Sequence, residues 1–138
     1  MKGDLGHLYE GHLENGECRK FLYLLPLENG NWYVGTTDNL DRRYKEHAGG
    51  EGAAWTKLHK PQSKDKMRAW TIPYFSLFQV EQMEDVLCKT MQDKFGLNNV
   101  RGGYMCMCKP VKKRLPRHVL RHHYYQAKKA ASPGNNKR

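Results

Sequence analysis

Apolar and polar positions change period several times along the 138-residue chain. Lys20-FLYLLPL and Asn31-WYVGTT are short runs rich in aromatic and β-branched residues, separated by Glu28-Asn29-Gly30, and they predict a β-hairpin. From residue 40 the period lengthens. Leu40, Arg43, Tyr44 and His47 fall at i, i+3, i+4 and i+7 of LDRRYKEHA, which predicts a helix capped by Asp38 and ended by Gly49-Gly50. Residues 51 to 66 read as a loop. Residues 68 to 74, RAWTIPY, read as a third strand, with Pro73 placing it at a sheet edge or at its own end. Ser76 with Gln79 makes a capping box that opens a long helix to about Phe95, with Val80, Met83, Leu87 and Met91 as its stripe and Gly96 as its stop. A basic amphipathic helix is predicted over residues 115 to 130, with Pro116 in its first turn, and residues 132 to 138 read as disordered.

The turn decides which way the hairpin tyrosines face. A two-residue Asn29-Gly30 loop would pair Pro26 with Tyr33 and send Tyr23 to the opposite face, because side chains alternate along each strand. A three-residue loop, with Gly30 as its left-handed residue, instead sets Leu25 opposite Tyr33 and Tyr23 opposite Gly35. Tyr23 and Tyr33 then share a face beside a glycine that leaves open space. Arg43 and His47 lie on or beside the helix stripe that faces the sheet, whereas Arg42 points elsewhere. Two phenols, a guanidinium and an imidazole would meet over one patch of sheet, an arrangement costly for a core and useful for a site.

Charge separates the chain into two parts. The first 108 residues carry all 14 acids against 14 lysines and arginines, and the last 30 hold ten basic side chains and no acid, which accounts for the net charge of +10. A cationic tail suits a polyanion, because phosphate neutralisation releases counterions. The candidate contacts are Lys109, Lys112, Lys113, Arg114, Arg117, Arg121, Lys128 and Lys129, with Arg101 just upstream. The plainer reading is a solvated tail that aids solubility. No apolar run approaches the roughly 20 residues of a membrane span, and the first residues are too polar for a secretory signal, so an intracellular protein of cytoplasm or nucleus, without a membrane partner, is expected. Four cysteines show no framework spacing and read as reduced thiols. Cys106 and Cys108 with His118 and His122 make an alternative zinc set, although C-x-C is tighter than usual finger spacing.

Tyr33-Val-Gly35 after the strand ending in Leu22-Tyr23, then Asn39-LDRRYKEH and Gly52-AAWTKLHKP, together resemble the core signature of the GIY-YIG nucleases, and Asn98-Asn-Val-Arg-Gly-Gly103 resembles a segment of one branch of relatives. The first triplet departs from the signature, reading Phe-Leu-Tyr and keeping only its tyrosine. The resemblance covers roughly residues 20 to 103. It implies an α+β fold, a small three-stranded antiparallel sheet flanked by helices, and metal-dependent hydrolysis of nucleic-acid phosphodiesters. By position it makes Tyr23 and Tyr33 the paired tyrosines, Arg43 the helix arginine, and His47 the residue four places on. It also puts the metal ligand on a glutamate of the helix after the third strand, where Glu81, Glu84 and Asp85 compete; Val80 four residues earlier selects Glu84.

The chemistry is consistent with those positions. Arg43 offers paired donors to non-bridging phosphate oxygens, and Glu84 can hold Mg²⁺ (or Mn²⁺) whose other positions go to water and substrate. A tyrosine can act as general base only if the metal or the arginine lowers its pKa of ~10; Tyr23 is assigned that role and Tyr33 that of orienting water or phosphate, a division the sequence leaves open, while His47 assists proton transfer or binds phosphate. The expectation is therefore an arm over 1–18, a nuclease domain over 19–108 and a basic helix or tail over 109–138. The activity expected is that of a divalent-metal-dependent DNA endonuclease. A non-catalytic nucleic-acid-binding module and an RNA-directed nuclease are the rivals, and a protein partner could supply targeting.

Overall fold

In a computed structural model, which describes residues 11–12, 18–74 and 76–131, the chain enters the sheet through β1 (Gly11–His12), paired with the start of β2 (Cys18–Pro26). Most of the expected arm over 1–18 and the disordered end expected over 132–138 lie outside the described residues. Strand β2 pairs antiparallel with β3 (Trp32–Thr37), with Leu25 opposite Tyr33 and Tyr23 opposite Gly35, the register of the three-residue connection. The Leu27 amide donates to the Asn31 carbonyl at 2.8 Å across that connection. Asn29 (φ +60°) joins Gly30 (φ +76°) in the left-handed region, where the sequence reading had placed Gly30 alone. Asparagine is among the few side chains that tolerate it.

Strand β4 (Arg68–Tyr74) lines the other edge of β2, with Ala69 opposite Tyr23 and Pro73 opposite Arg19 on the outer strand. These are the three expected antiparallel strands. The three-residue β5 (Val100–Gly102) adds a parallel strand beyond β3, and it ends opposite Val34. Among the described residues four α-helices are interleaved with the strands: α1 (Leu40–Ala48), α2 (Ala54–Leu58), α3 (Leu77–Phe95) and α4 (Arg117–Ala131). The α1 cap is Asn39, whose side chain accepts from the Arg42 amide, rather than Asp38, which pairs with the Arg42 guanidinium. The capping box of Ser76 and Gln79 is formed as the sequence predicts. Helix α2, inside the expected loop, is too short to show a period.

Strict alternation along β2 and β3 gives the sheet two apolar faces. Phe21, Tyr23, Leu25, Leu27 and Tyr33 pack on Leu40 of α1 and Trp55 of α2. Leu22, Leu24, Val34 and Val100 pack on Leu87, Cys88 and Met91 of α3. Met83 is exposed and falls off the expected α3 stripe; the buried series there runs through Val80, Asp85, Cys88 and Met91.

The basic segment is docked, which corrects the picture of a tail that only holds a polyanion. Leu120 of α4 is 1 % exposed and packs with Tyr104 and Met105. Arg114 and Arg117 both bind the fully buried carboxylate of Asp85, and Arg121 lies 3.4 Å from Glu81. Arg101 is also corrected: it is 1 % exposed and donates to the carbonyls of Leu97, Val100, Met107 and Lys109, so it ties the 97–109 loop to the sheet and cannot reach a phosphate. Arg114→Ala leaves Asp85 with Arg117 alone and is expected to cost roughly 1.5–3 kcal/mol in urea unfolding, with part recovered when Asp85→Asn is added.

Candidate active site

Around Gly35 the hairpin and α1 bring aromatic and charged groups together. The rings of Tyr23 and Tyr33 lie 6.2 Å apart, and His47 meets Tyr33 edge-on at 4.9 Å. Arg43, half-buried, donates to Glu46 at 2.8 Å and lies close enough to both phenols to favour their ionisation. Burial outweighs that influence and holds both phenols well above the usual tyrosine range.

The direction of the Tyr23 proton follows from the hydrogen bonds behind it. The Thr56 hydroxyl donates to the Ala53 carbonyl at 2.8 Å, so its oxygen accepts from Nδ1 of His47 at 3.0 Å. Nε2 of His47 is then unprotonated and accepts from the Tyr23 hydroxyl at 2.7 Å. Burial, followed by the Arg43 charge, lowers the His47 pKa to about 4, which keeps the ring neutral. His47 is 0 % exposed and stands behind Tyr23, itself 1 % exposed, so its Nε2 meets the Tyr23 hydroxyl rather than solvent. Two glycines make room for this row. A Cβ on Gly35 would lie 2.5 Å from the Tyr23 oxygen, and one on Gly52 would lie 2.2 Å from Nδ1 of His47. The space expected to be open beside Gly35 is filled by the phenol.

Glu84 approaches from the other side of β3. Strand β5 stops opposite Val34, and just past that point the Glu84 carboxylate accepts from the Thr36 hydroxyl and from the Gly103 amide, each at 2.9 Å. Its anchor Thr36 follows Gly35 on β3, so the carboxylate and the tyrosines lie on opposite faces of the same strand, near enough for the Glu84 charge to disfavour ionisation of both phenols. Burial raises its pKa to about 7, with Thr36 and Gly103 opposing the rise and Glu81 and Asp85 adding to it. Of the rival carboxylates, Asp85 is taken up by its two arginines, whereas Glu81 accepts from the Tyr104 hydroxyl at 2.8 Å and lines the same cavity as Glu84.

A family model for the GIY-YIG catalytic domain matches residues 19–98, more than half of the chain. The chain belongs to the GIY-YIG family. It is also similar to UPF0213 proteins. It is 44 % identical to one from Halalkalibacterium halodurans over 41 residues, which is 30 % of this chain and 44 % of that protein. It is 45 % identical to one from Xanthomonas campestris over 40 residues, 29 % of this chain and 39 % of that protein. One from Bacillus subtilis is 39 % identical over 41 residues, 30 % of this chain and 41 % of that protein. The chain spans less than half the length of these curated relatives. No solved structure matches it.

The GIY-YIG domain is a domain of phosphodiester-hydrolysing nucleases, and the match ends before β5 and α4. Thr56 is the site residue that the sequence reading missed. It stands in the Gly52-AAWTKLHKP segment, but nothing in its spacing marks a hydroxyl as the partner of His47. Lys109, Lys112, Lys113, Lys128 and Lys129 are exposed, while Arg114, Arg117 and Arg121 pair with Asp85 and Glu81, the latter two arginines remaining partly exposed. The zinc set is not assembled: no group of three or more His, Cys, Asp or Glu that could hold a metal ion occurs among the described residues. No helix among them is long and apolar enough to cross a membrane.

Glu84 fixes the sign of one pH effect. Its pKa is raised on folding from an ordinary carboxylate value, so its contribution to stability is fully present below that value and is lost as pH rises through about 7. In denaturant melts of metal-free protein, the stability of Glu84→Ala relative to wild type is expected to shift in the variant's favour as pH rises from about 5 to about 8.

Proposed function

We propose that this protein is a divalent-metal-dependent endonuclease acting on DNA. The observation that supports this best is the convergence of Tyr23, Tyr33, Arg43 and Glu84 at the edge of β3, with the Tyr23 proton directed at an unprotonated His47 nitrogen. Glu84 suits a metal ion: it is a poorly neutralised carboxylate beside a cavity of about 20 Å³, and each oxygen keeps a lone pair beyond its one protein hydrogen bond. A bound Mg²⁺ or Mn²⁺ would supply charge relief at the phosphate and the leaving oxygen.

The remaining roles belong to the side chains. Tyr23 removes a proton from the attacking water as its own proton passes to Nε2 of His47, and Thr56 holds that ring in the required tautomer. In the free protein the Arg43 charge disfavours a protonated His47. A phosphate bound at Arg43 offsets that charge, so substrate itself makes His47 a better acceptor. Tyr33, beside Tyr23 and His47, orients the water or the phosphate. Arg43 gives its planar fork to the non-bridging oxygens.

Incubation with duplex, branched and single-stranded DNA and with RNA, in Mg²⁺, Mn²⁺ and EDTA, tests the reading. Arg43→Ala is expected to slow cleavage by about 10²–10³-fold and Glu84→Ala to abolish it, with nucleic-acid binding largely retained. A folded Glu84→Ala protein that cuts at the wild-type rate would remove the metal assignment, and preferred cleavage of RNA would replace DNA as the substrate. The exposed lysines provide the backbone contacts in this reading. Replacing Lys112 and Lys113 together by alanine should weaken binding to all sequences alike and reduce the slope of log K against log salt by about 2.

A further inference from the structure

We propose that α4, which lies beyond the residues matched by the family model, is built into the active site, where the Tyr124 hydroxyl and the Glu81 carboxylate orient the water shell of an ion held at Glu84. This rests on the metal reading above. The tethers of α4 bracket Glu84 along α3: Arg121 reaches Glu81, one turn before it, and Arg114 and Arg117 grip Asp85, the next residue. Leu120 packs with Tyr104 and Met105, and Tyr124, one turn further along α4, meets Tyr104 edge-on at 5.6 Å. The result is a small cavity lined by Glu81, Glu84, Gly103, Tyr104 and Tyr124, about 20 Å³ in volume, which is space for about one water.

The chemistry of a hard cation says what that cavity is suited to. One carboxylate leaves most positions of a Mg²⁺ or Mn²⁺ ion to water, and groups one layer out must orient those waters. The lining of the cavity offers two oxygen centres for this task. The Tyr104 hydroxyl is already engaged, since it donates to Glu81 at 2.8 Å and accepts from Gln82 at 2.9 Å. Glu81 keeps further acceptor capacity, and Tyr124 contributes a hydroxyl from a ring that is already fixed by Tyr104 on one side and Lys128, 5.1 Å from its centroid, on the other. Tyr124→Phe removes the oxygen together with its hydrogen bond to the exposed Lys128, and leaves the ring contact with Tyr104 in place.

The test is a Mn²⁺ titration of the full chain without nucleic acid, followed by paramagnetic broadening of the Thr36 and Gly103 amide signals. Tyr124→Phe and Glu81→Gln are each expected to weaken Mn²⁺ binding by ~10-fold or more, while the thermal midpoint of Tyr124→Phe stays at the wild-type value. Wild-type Mn²⁺ affinity in Tyr124→Phe overturns the proposal, because α4 would then be only a packing element. Wild-type affinity in Glu84→Gln has a different meaning: it removes the metal reading itself, and the role of Tyr124 falls with it.

Discussion

The phenol of Tyr23 occupies the volume that a side chain on Gly35 would need. That single exclusion sets the rest of the site. It requires Tyr23 and residue 35 to face each other on the same side of the hairpin, which only the three-residue connection provides, and a slip by one residue would carry Tyr23 to the α3 face. With the phenol turned toward α1, its oxygen finds His47, and His47 in turn fills the space over Gly52 and finds Thr56. The site is therefore assembled by omitting side chains at two places where polar rings must pass. Each glycine serves close packing, since neither Gly35 nor Gly52 lies in the left-handed region.

The groups that meet there are poorly matched to their surroundings. Burial raises Glu84 and both phenols and lowers His47, and in each case it disfavours the charged form. A cation at Glu84 and an anion at Arg43 would each reverse part of that penalty. The cost of holding the site in this state is met by two sheet faces packed with Phe21, Leu25 and Trp55 on one side and Val34, Cys88 and Val100 on the other. Stability and chemistry thus share the same strands, alternating residue by residue along β2 and β3.

Period explains which parts of this were legible in the sequence. The hairpin register, the α1 face carrying Arg43 and His47, and the capping box at Ser76 all follow from local rules that span at most a few turns or strand pairs. Helix α2 and strand β5 have 5 and 3 residues, too few to show a period, and long-range contacts define them: the Trp55 indole donates to the Trp32 carbonyl, and β5 lies beside β3 with Arg101 bound to the loop behind it. The stripe on α3 misled at Met83, because the sheet-facing position one residue on carries Glu84, and a hydrophobic template does not choose a carboxylate over a methionine. Arg101 and Arg114 have the same appearance in the sequence as the lysines around them; only buried partners reveal that they are structural.

Those partners divide the basic segment by residue type. Between residues 109 and 131 each arginine pairs with an acid of α3, and each lysine is exposed. The division follows from the side chains: a guanidinium is weakly hydrated and presents a planar fork that fits a buried carboxylate, whereas an ammonium is a strongly hydrated point charge that loses more on burial. It also separates two functions that composition alone would merge. Salt screens exposed charges over about 8–10 Å and reaches the lysines, but it acts far less on Asp85, which is fully buried under the largely buried Arg114 and the partly exposed Arg117. Raising ionic strength should thus release a bound polyanion while α4 stays in place, so that binding can vary with conditions without disturbing the wall of the Glu84 cavity.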